Sequence, residues 1–359
     1  MAKSDPWLKR LPEDELPAGA RALIPDLQAQ VLKWHRVFGR HDLPWQVSDP
    51  YAVWVSEIML QQTQVATGMY RYPSWMSRFP TLESLAQASQ AEVVKEWEGL
   101  GYYARARNLH AAAQLIAQQH GGQFPSDRAS RLALPGVGPS TASAIGAFGF
   151  GLREPILDGN VMRVWARWWA DAAPSGTPAQ QSRFWWGWVH AATPDKPEQV
   201  GAWTQAMMDL GATVCTPKNP RCDVCPLRST CRGFASGEPE RWPMRGRKTL
   251  VKDWEISWAW VVKEGKVAVV QRPAGGPWHG LWVLPEAPTP PGSMELGQGK
   301  HALSHRRIAW SIHAHSPKLV GDEVQWVDAP GFAALALPKP LRAWWQGLSP
   351  AVRLSLFES

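Results

Sequence analysis

The chain has 359 residues, 45% of them hydrophobic, with 38 Lys+Arg against 31 Asp+Glu for a formal net charge of +7. That length and apolar content fit two or three globular domains with real cores, and no apolar run is long enough to span a bilayer. The basic balance favours a polyanionic partner, most often nucleic acid. Four cysteines in so long a chain argue against a disulfide-stapled miniature fold.

Residues 1–24 lack an apolar core and read as a loose tail, not a signal peptide. From 25 to 234 the pattern is helical. Leu27–Phe38, Tyr51–Tyr70, Ala91–Leu100 and Arg105–His120 carry apolar residues at three- and four-residue spacing, punctuated by Pro and Gly. Residues 235–252 are polar, basic and proline-bearing, and read as a linker. Beyond it, 253–359 reads as a smaller α+β domain. The stretch 254–273 alternates and is broken by Glu264-Gly265, as in a β-hairpin. Ile308–His315 and Glu323–Val327 also read as strands. The expected fold is therefore multidomain, an all-α region followed by an α+β domain.

Four features carry chemistry. The stretch LPGVGPSTASAIGAF (134–148) places Gly136 and Gly138 in a tight turn before a helix rich in small residues. Glycines there let backbone N–H groups approach a phosphate at a helix N-terminus, although an ordinary helix connection could look the same. Second, Asp158 lies where PIL meets DGNVMRV, a position that also suits a plain helix N-cap. Third, Glu57 sits among Val53, Trp54, Val55, Ile58, Met59 and Leu60. Burial there would keep it protonated, as a general acid requires, unless a salt bridge holds it. Two carboxylates are what cleavage of an N-glycosidic bond needs, by the logic of glycoside hydrolysis. A base within a duplex must first be flipped out, and Gln61, Gln62, Tyr102 and Tyr103, beside Arg105 and Arg107, are suited to fill the gap. Fourth, all the cysteines fall in one cluster, Cys215, Cys222, Cys225 and Cys231, spaced Cys-x6-Cys-x2-Cys-x5-Cys. Four thiolates suit zinc or iron–sulfur. One tight pair with single cysteines on either side favours a [4Fe–4S] cluster over a zinc ribbon.

Together SEIMLQQTQVAT, GLGYYARARNL, LPGVGPSTA, ILDGNVMRV, AMMDLGATVC and the cysteine spacing resemble the adenine DNA glycosylases of the MutY type, in the endonuclease III, helix-hairpin-helix superfamily. The likeness is dense over roughly 25–235. It implies an enzyme of base excision repair that removes adenine mispaired with 8-oxoguanine, or with G, from duplex DNA. By the resemblance Glu57 protonates adenine, Asp158 stabilises the cation and Asn160 is their partner in the active site. Gln62 and Tyr102 would be wedges. Gln61, Arg105, Gly136, Gly138 and Ser140 would lie at the DNA, as would Lys218 and Arg221 on the loop between Cys215 and Cys222. The cluster would be structural or redox-sensing. Ser140 stands where the lyase members carry a lysine, and serine cannot form an imine, so the activity expected is monofunctional. The C-terminal part, with QRPAGGPWHGLWVLPE (271–286), resembles the Nudix-like domain that senses 8-oxoguanine. It lacks a pyrophosphatase run of glutamates. Leu303-Ser304-His305 stands for the family's Phe-Ser-His lesion triplet, without its aromatic ring. The resemblance further implies a cytoplasmic monomer with no membrane association. Two other readings remain open: a lyase acting on oxidised pyrimidines, which Ser140 and the C-terminal domain oppose, and a DNA-binding module without catalysis.

Overall fold

The structure is a computed structural model and describes residues 16, 19–170, 178–243, 251–273, 275–289, 291–303, 306–321 and 323–358. In chain order the helices are α1 (Ala20–Phe38), α2 (Pro50–Leu60), α3 (Val65–Arg78), α4 (Leu82–Gln87), α5 (Gln90–Glu96), α6 (Ala104–Gln119), α7 (Arg128–Ala133), α8 (Pro139–Ala144), α9 (Gly159–Trp169), α10 (Pro178–Ala192), α11 (Pro197–Asp209) and α12 (Arg232–Ala235). Strands β1 (Lys252–Lys263), β2 (Lys266–Gln271), β3 (Trp282–Val283), β4 (Glu295–Leu303), β5 (Arg306–His315) and β6 (Gln325–Val327) follow, then α13 (Ala329–Ala334), α14 (Lys339–Gly347) and α15 (Pro350–Ser355). The chain forms two compact units, Met1–Gln87 with Asn108–Gly246, and Ala88–Arg107 with Arg247–Ser359. No helix among the described residues is long and apolar enough to cross a membrane.

In the first unit α1 buries Ala20, Ile24, Leu27, Val31 and Trp34, the three- and four-residue spacing that keeps one face inward. It begins within the expected tail 1–24; residues 1–15, 17 and 18 lie outside the described residues. The same core holds Trp165, Trp168, Trp169 and Trp188, with ring centroids 5.7–6.1 Å apart, and Cys215, Cys225 and Cys231 pack against its edge. Tyr51–Tyr70 reads as one helix in the sequence but is two. The chain leaves α2 at Gln61, and Gln62 adopts φ 55°, left-handed backbone that no α-helix tolerates.

In the second unit the strand order is β3-β2-β1-β5-β4, with β6 on β2. Glu264 (φ 52°) and Gly265 (φ 71°) close the β1–β2 hairpin with the two left-handed residues that a type I′ turn requires. β1 runs parallel to β5 from Lys252↔Arg306 to Val261↔His315. Trp260, Phe332, Trp345 and Phe357 anchor the core beneath, Trp260 stacked on Trp345 at 6.2 Å. β4 went unread in the sequence. Its ELGQGKHAL alternates between half-buried and exposed residues from Gly297 onward, but Gly297, Gly299 and His301 hold inward positions where a strand ordinarily carries branched or aromatic side chains.

Candidate active site

The centre of the first unit is a cavity of about 1000 Å³, lined among others by Glu57, Gln61, Gln62, Ser140, Asp158, Asn160 and Gln205, with apolar walls from Trp45, Leu60, Ile156 and Met208. Each polar group is delivered by a recognisable local device. α2 starts at Asp49, whose carboxylate accepts from the Tyr51 and Ala52 amides, with Pro50 at the first helical position. Most of α2 is then buried, so Glu57 enters the cavity from an apolar helix. Burial pushes its carboxyl up to about 8, and the Asp158 carboxylate adds to the rise. Glu57 is therefore a carboxylic acid at neutral pH, able to give up a proton into the cavity.

Asp158 caps α9, accepting from the Val161 amide at 2.7 Å, so the plain capping reading is correct as far as it goes. Its second oxygen accepts from Asn160 Nδ2 at 3.0 Å. Asn160 is held in turn by Arg163, whose Nη2 donates to Asn160 Oδ1 at 2.8 Å and to the Gly211 carbonyl at 2.6 Å, while its Nε donates to the Cys215 carbonyl at 2.7 Å. A Cβ on Gly211 would meet the Asn160 Cβ at 2.7 Å, so this contact needs glycine. Arg163 was missed in the sequence. Its only signal was its place three residues after Asn160, on the same helical face.

Ser140 lines the cavity at the start of α8 and donates to the Leu157 carbonyl. Gln61 Nε2 lies 3.2 Å from Thr141 Oγ1, tying the α2 end to α8. Gly136 takes φ 76°, which only glycine adopts freely, whereas Gly138 caps α8 with ordinary backbone and open space where a Cβ would stand. The first glycine serves the turn, and the second leaves the backbone approachable. At the cavity margin Asp209 is fully buried. It accepts from the Arg40 amide at 2.8 Å, from the Arg40 guanidinium and from Gln205 Nε2 at 2.8 Å. Burial alone would raise this carboxyl, but hydrogen bonds from His35 and Arg40 hold it below the usual range.

The cysteines lie beside the C-terminal half of α9. Arg167 Nη1 is 3.5 Å from Cys215 Sγ and donates to the Thr216 carbonyl at 2.6 Å; its Nη2 donates to the Pro217 carbonyl at 3.1 Å. Burial pushes the Cys225 thiol up to about 12, with the other three thiols adding to the rise, so all four share one electrostatic neighbourhood. Such a set is deprotonated only against strong positive charge, which a metal centre supplies. Four thiols gathered in this way are the donor set of a thiolate-bound metal centre. Lys218 and Arg221 are exposed on the loop that Arg167 holds.

In the second unit Tyr102 is 48% exposed at φ 48°, between Gly101 and α6. Arg105 was read in the sequence as a DNA contact. It is buried and donates to the Leu100 and Gly101 carbonyls at 2.9 and 3.1 Å, so it shapes the Tyr102 turn from within. Leu303 ends β4, paired with Arg306. Ser304 and His305 lie outside the described residues.

An acid kept neutral and a carboxylate tethered to an amide in one cavity, with a glycine hairpin and a four-thiol loop in the same unit, are the features of one class, the base-excision DNA repair proteins. Residues 55–188 match the HhH-GPD superfamily base excision DNA repair protein, 215–231 the iron–sulfur binding domain of endonuclease III, and 257–347 the NUDIX domain. The second match assigns the four cysteines to a [4Fe–4S] cluster. A thermostable thymine-DNA glycosylase shares the helical fold at TM-score 0.55 and 24% identity, over 60% of this chain and 98% of that one. The chain belongs to the adenine DNA glycosylase family. It is 33% identical over 291 residues to the adenine DNA glycosylase of Buchnera aphidicola subsp. Schizaphis graminum, covering 80% of this chain and 83% of that one. It is 40% identical to that of Buchnera aphidicola subsp. Baizongia pistaciae over 209 residues, which span 58% of each chain.

Proposed function

We propose that the protein is a monofunctional adenine DNA glycosylase that removes adenine paired with 8-oxoguanine, or with guanine, in duplex DNA. The observation that carries this reading is the pairing of Glu57, a carboxyl raised to about 8, with Asp158 in one cavity. The flipped adenine enters the cavity and Glu57 protonates it, making the base a neutral leaving group. As the N-glycosidic bond breaks, positive charge grows on the deoxyribose, and the Asp158 carboxylate stabilises it. Asn160 keeps that carboxylate oriented. Water then adds to the sugar cation and leaves an abasic site. Ser140 has no amine to form a Schiff base, so the strand stays intact.

Gly136, Gly138, Lys218 and Arg221 serve as phosphate contacts, which fix register without reading sequence. Gln61, Gln62 and Tyr102 fill the duplex where the nucleotide leaves. When bound, the [4Fe–4S] cluster cross-links the 215–231 loop and supplies a redox-responsive centre; the hydrolysis does not run through it. The C-terminal domain, 253–359, reads the 8-oxoguanine through Leu303, Ser304 and His305, joined by the 235–252 linker to the 25–234 glycosylase region. The working form is a cytoplasmic monomer. The test is release of free adenine from duplexes that differ only opposite the target adenine. The order 8-oxoguanine, then guanine, then thymine is expected, with thymine inert. Equal release from all three would overturn the specificity.

A further inference from the structure

The turn that presents Tyr102 is costly to hold. Gly99 (φ 92°), Gly101 (φ 71°) and Tyr102 (φ 48°) all take left-handed backbone, which is strained for the tyrosine. Inside the segment, buried Trp97 donates from Nε1 to the Gly101 carbonyl at 3.1 Å, and Arg105 stacks on both Trp97 and Tyr102. The remaining support comes from the C-terminal domain. Glu98, next to Trp97, receives Arg342 of α14 in a two-pronged pair, Nε to Oε1 and Nη2 to Oε2 at 3.1 Å, and Lys95 Nζ at 2.8 Å. Both members of the pair are mostly buried, at 13% and 18% exposure. Arg342 and Lys95 also share the Leu335 carbonyl. On the far side of the turn, Arg107 Nη1 donates to the His279 carbonyl at 2.6 Å.

We infer that Glu98 and Arg342 form a clamp through which the C-terminal domain positions the Tyr102 turn, so that the domain reading the lesion also sets the wedge. This rests on the wedge role proposed for Tyr102. Such a pair is directional and costly to break singly, because the partner left behind stays buried and charged. Glu98 and Arg342 are positioning residues that act through Tyr102 and touch no reacting atom.

The test uses the full-length protein and a duplex carrying 2-aminopurine opposite 8-oxoguanine, whose fluorescence rises on flipping, beside single-turnover adenine excision. Glu98→Gln should slow flipping and excision by at least about tenfold, equal to about 1.4 kcal/mol of barrier. Arg342→Met should do the same and replaces it if thermal unfolding finds Glu98→Gln misfolded; Arg342→Lys should retain an intermediate rate. Because the clamp acts through Tyr102, Glu98→Gln should add little to Tyr102→Ala in the double variant. Wild-type flipping in both clamp variants, or fully additive losses with Tyr102→Ala, would overturn the clamp. A Tyr102→Ala variant with wild-type flipping would overturn the wedge role and the clamp with it. Neither outcome bears on whether the wild-type protein excises adenine.

Discussion

Asn160 Nδ2 donates to Asp158 Oδ2 at 3.0 Å while the other oxygen of that carboxylate caps α9 through Val161. One side chain thus has a structural and a proposed chemical duty, and a substitution can separate them. Asparagine caps a helix about as well as aspartate. Asp158→Asn should therefore cost less than about 1 kcal/mol of stability by thermal or denaturant unfolding. The same change removes the negative charge facing the sugar cation and should lower the single-turnover rate by roughly 10²–10³. A large stability loss with little loss of rate would make Asp158 a cap alone.

The Glu57 acid sets a pH dependence with a definite sign. Burial raises its carboxyl from the ordinary 4.5 to about 8. The excision rate should hold near neutrality and fall as pH rises through about 8, where the proton is lost. Stability follows the same direction. The native state binds the extra proton between those two values, so any stability linked to this group is intact below the lower one and declines toward the upper. Glu57→Gln cannot ionise and should abolish excision, by roughly 10²–10⁴ or more, while keeping duplex binding. Its unfolding midpoint should gain on wild type as pH rises from 5 to 8. A Glu57→Gln rate equal to wild type, or a rate that climbs through pH 8, would place the acid elsewhere.

Arg163 links Asn160 to the Gly211 and Cys215 carbonyls. Arg163→Met should leave the Asn160 amide without its outer partner and slow excision by about tenfold, the equivalent of about 1.4 kcal/mol. Iron and sulfide content should remain near that of wild type, because all four cysteines are still present. Iron loss in step with activity would assign Arg163 to cluster retention instead.

The cluster is checked by composition. The purified protein should be brown and carry about four iron and four sulfide per chain. Cys225→Ser should lose both and release the 215–231 loop, measured as faster proteolysis there. One zinc and no iron would contradict the assignment.

Much of this could be read before the fold was known, for physical reasons. Glu57 stood out because a charge amid Val, Trp, Ile and Met has no cheap explanation, and the cysteines because spacing is itself ligand geometry. The Glu264-Gly265 hairpin was legible from two turn residues between alternating strands. What escaped reading left no mark on the residue's own type. The α2–α3 break turns on the backbone of Gln62, whose side chain carries no helix-breaking signal. Arg105 looked like a surface cation, and only the fold of its own turn shows it buried against Trp97 and bonded to the Leu100 and Gly101 carbonyls. Arg342 and Glu98 are separated by 244 positions, and nothing local marks either one.

Ser140 supports a gain-of-function prediction. It lines the cavity at the start of α8, so a lysine there could reach the sugar. The helix N-terminus would favour its neutral, nucleophilic amine. Ser140→Lys should acquire partial strand cleavage, with a covalent adduct trapped by borohydride. Absence of any adduct from a folded variant that still releases adenine would show that this position does not face the sugar.

The most direct measurement is strand breakage by the wild-type protein on a duplex with adenine opposite 8-oxoguanine, with and without alkali. The expected result is free adenine with an intact strand that breaks only on alkali treatment. Strand cleavage as fast as base release without alkali, with efficient borohydride trapping of the wild-type protein, would contradict a monofunctional adenine glycosylase and favour the lyase.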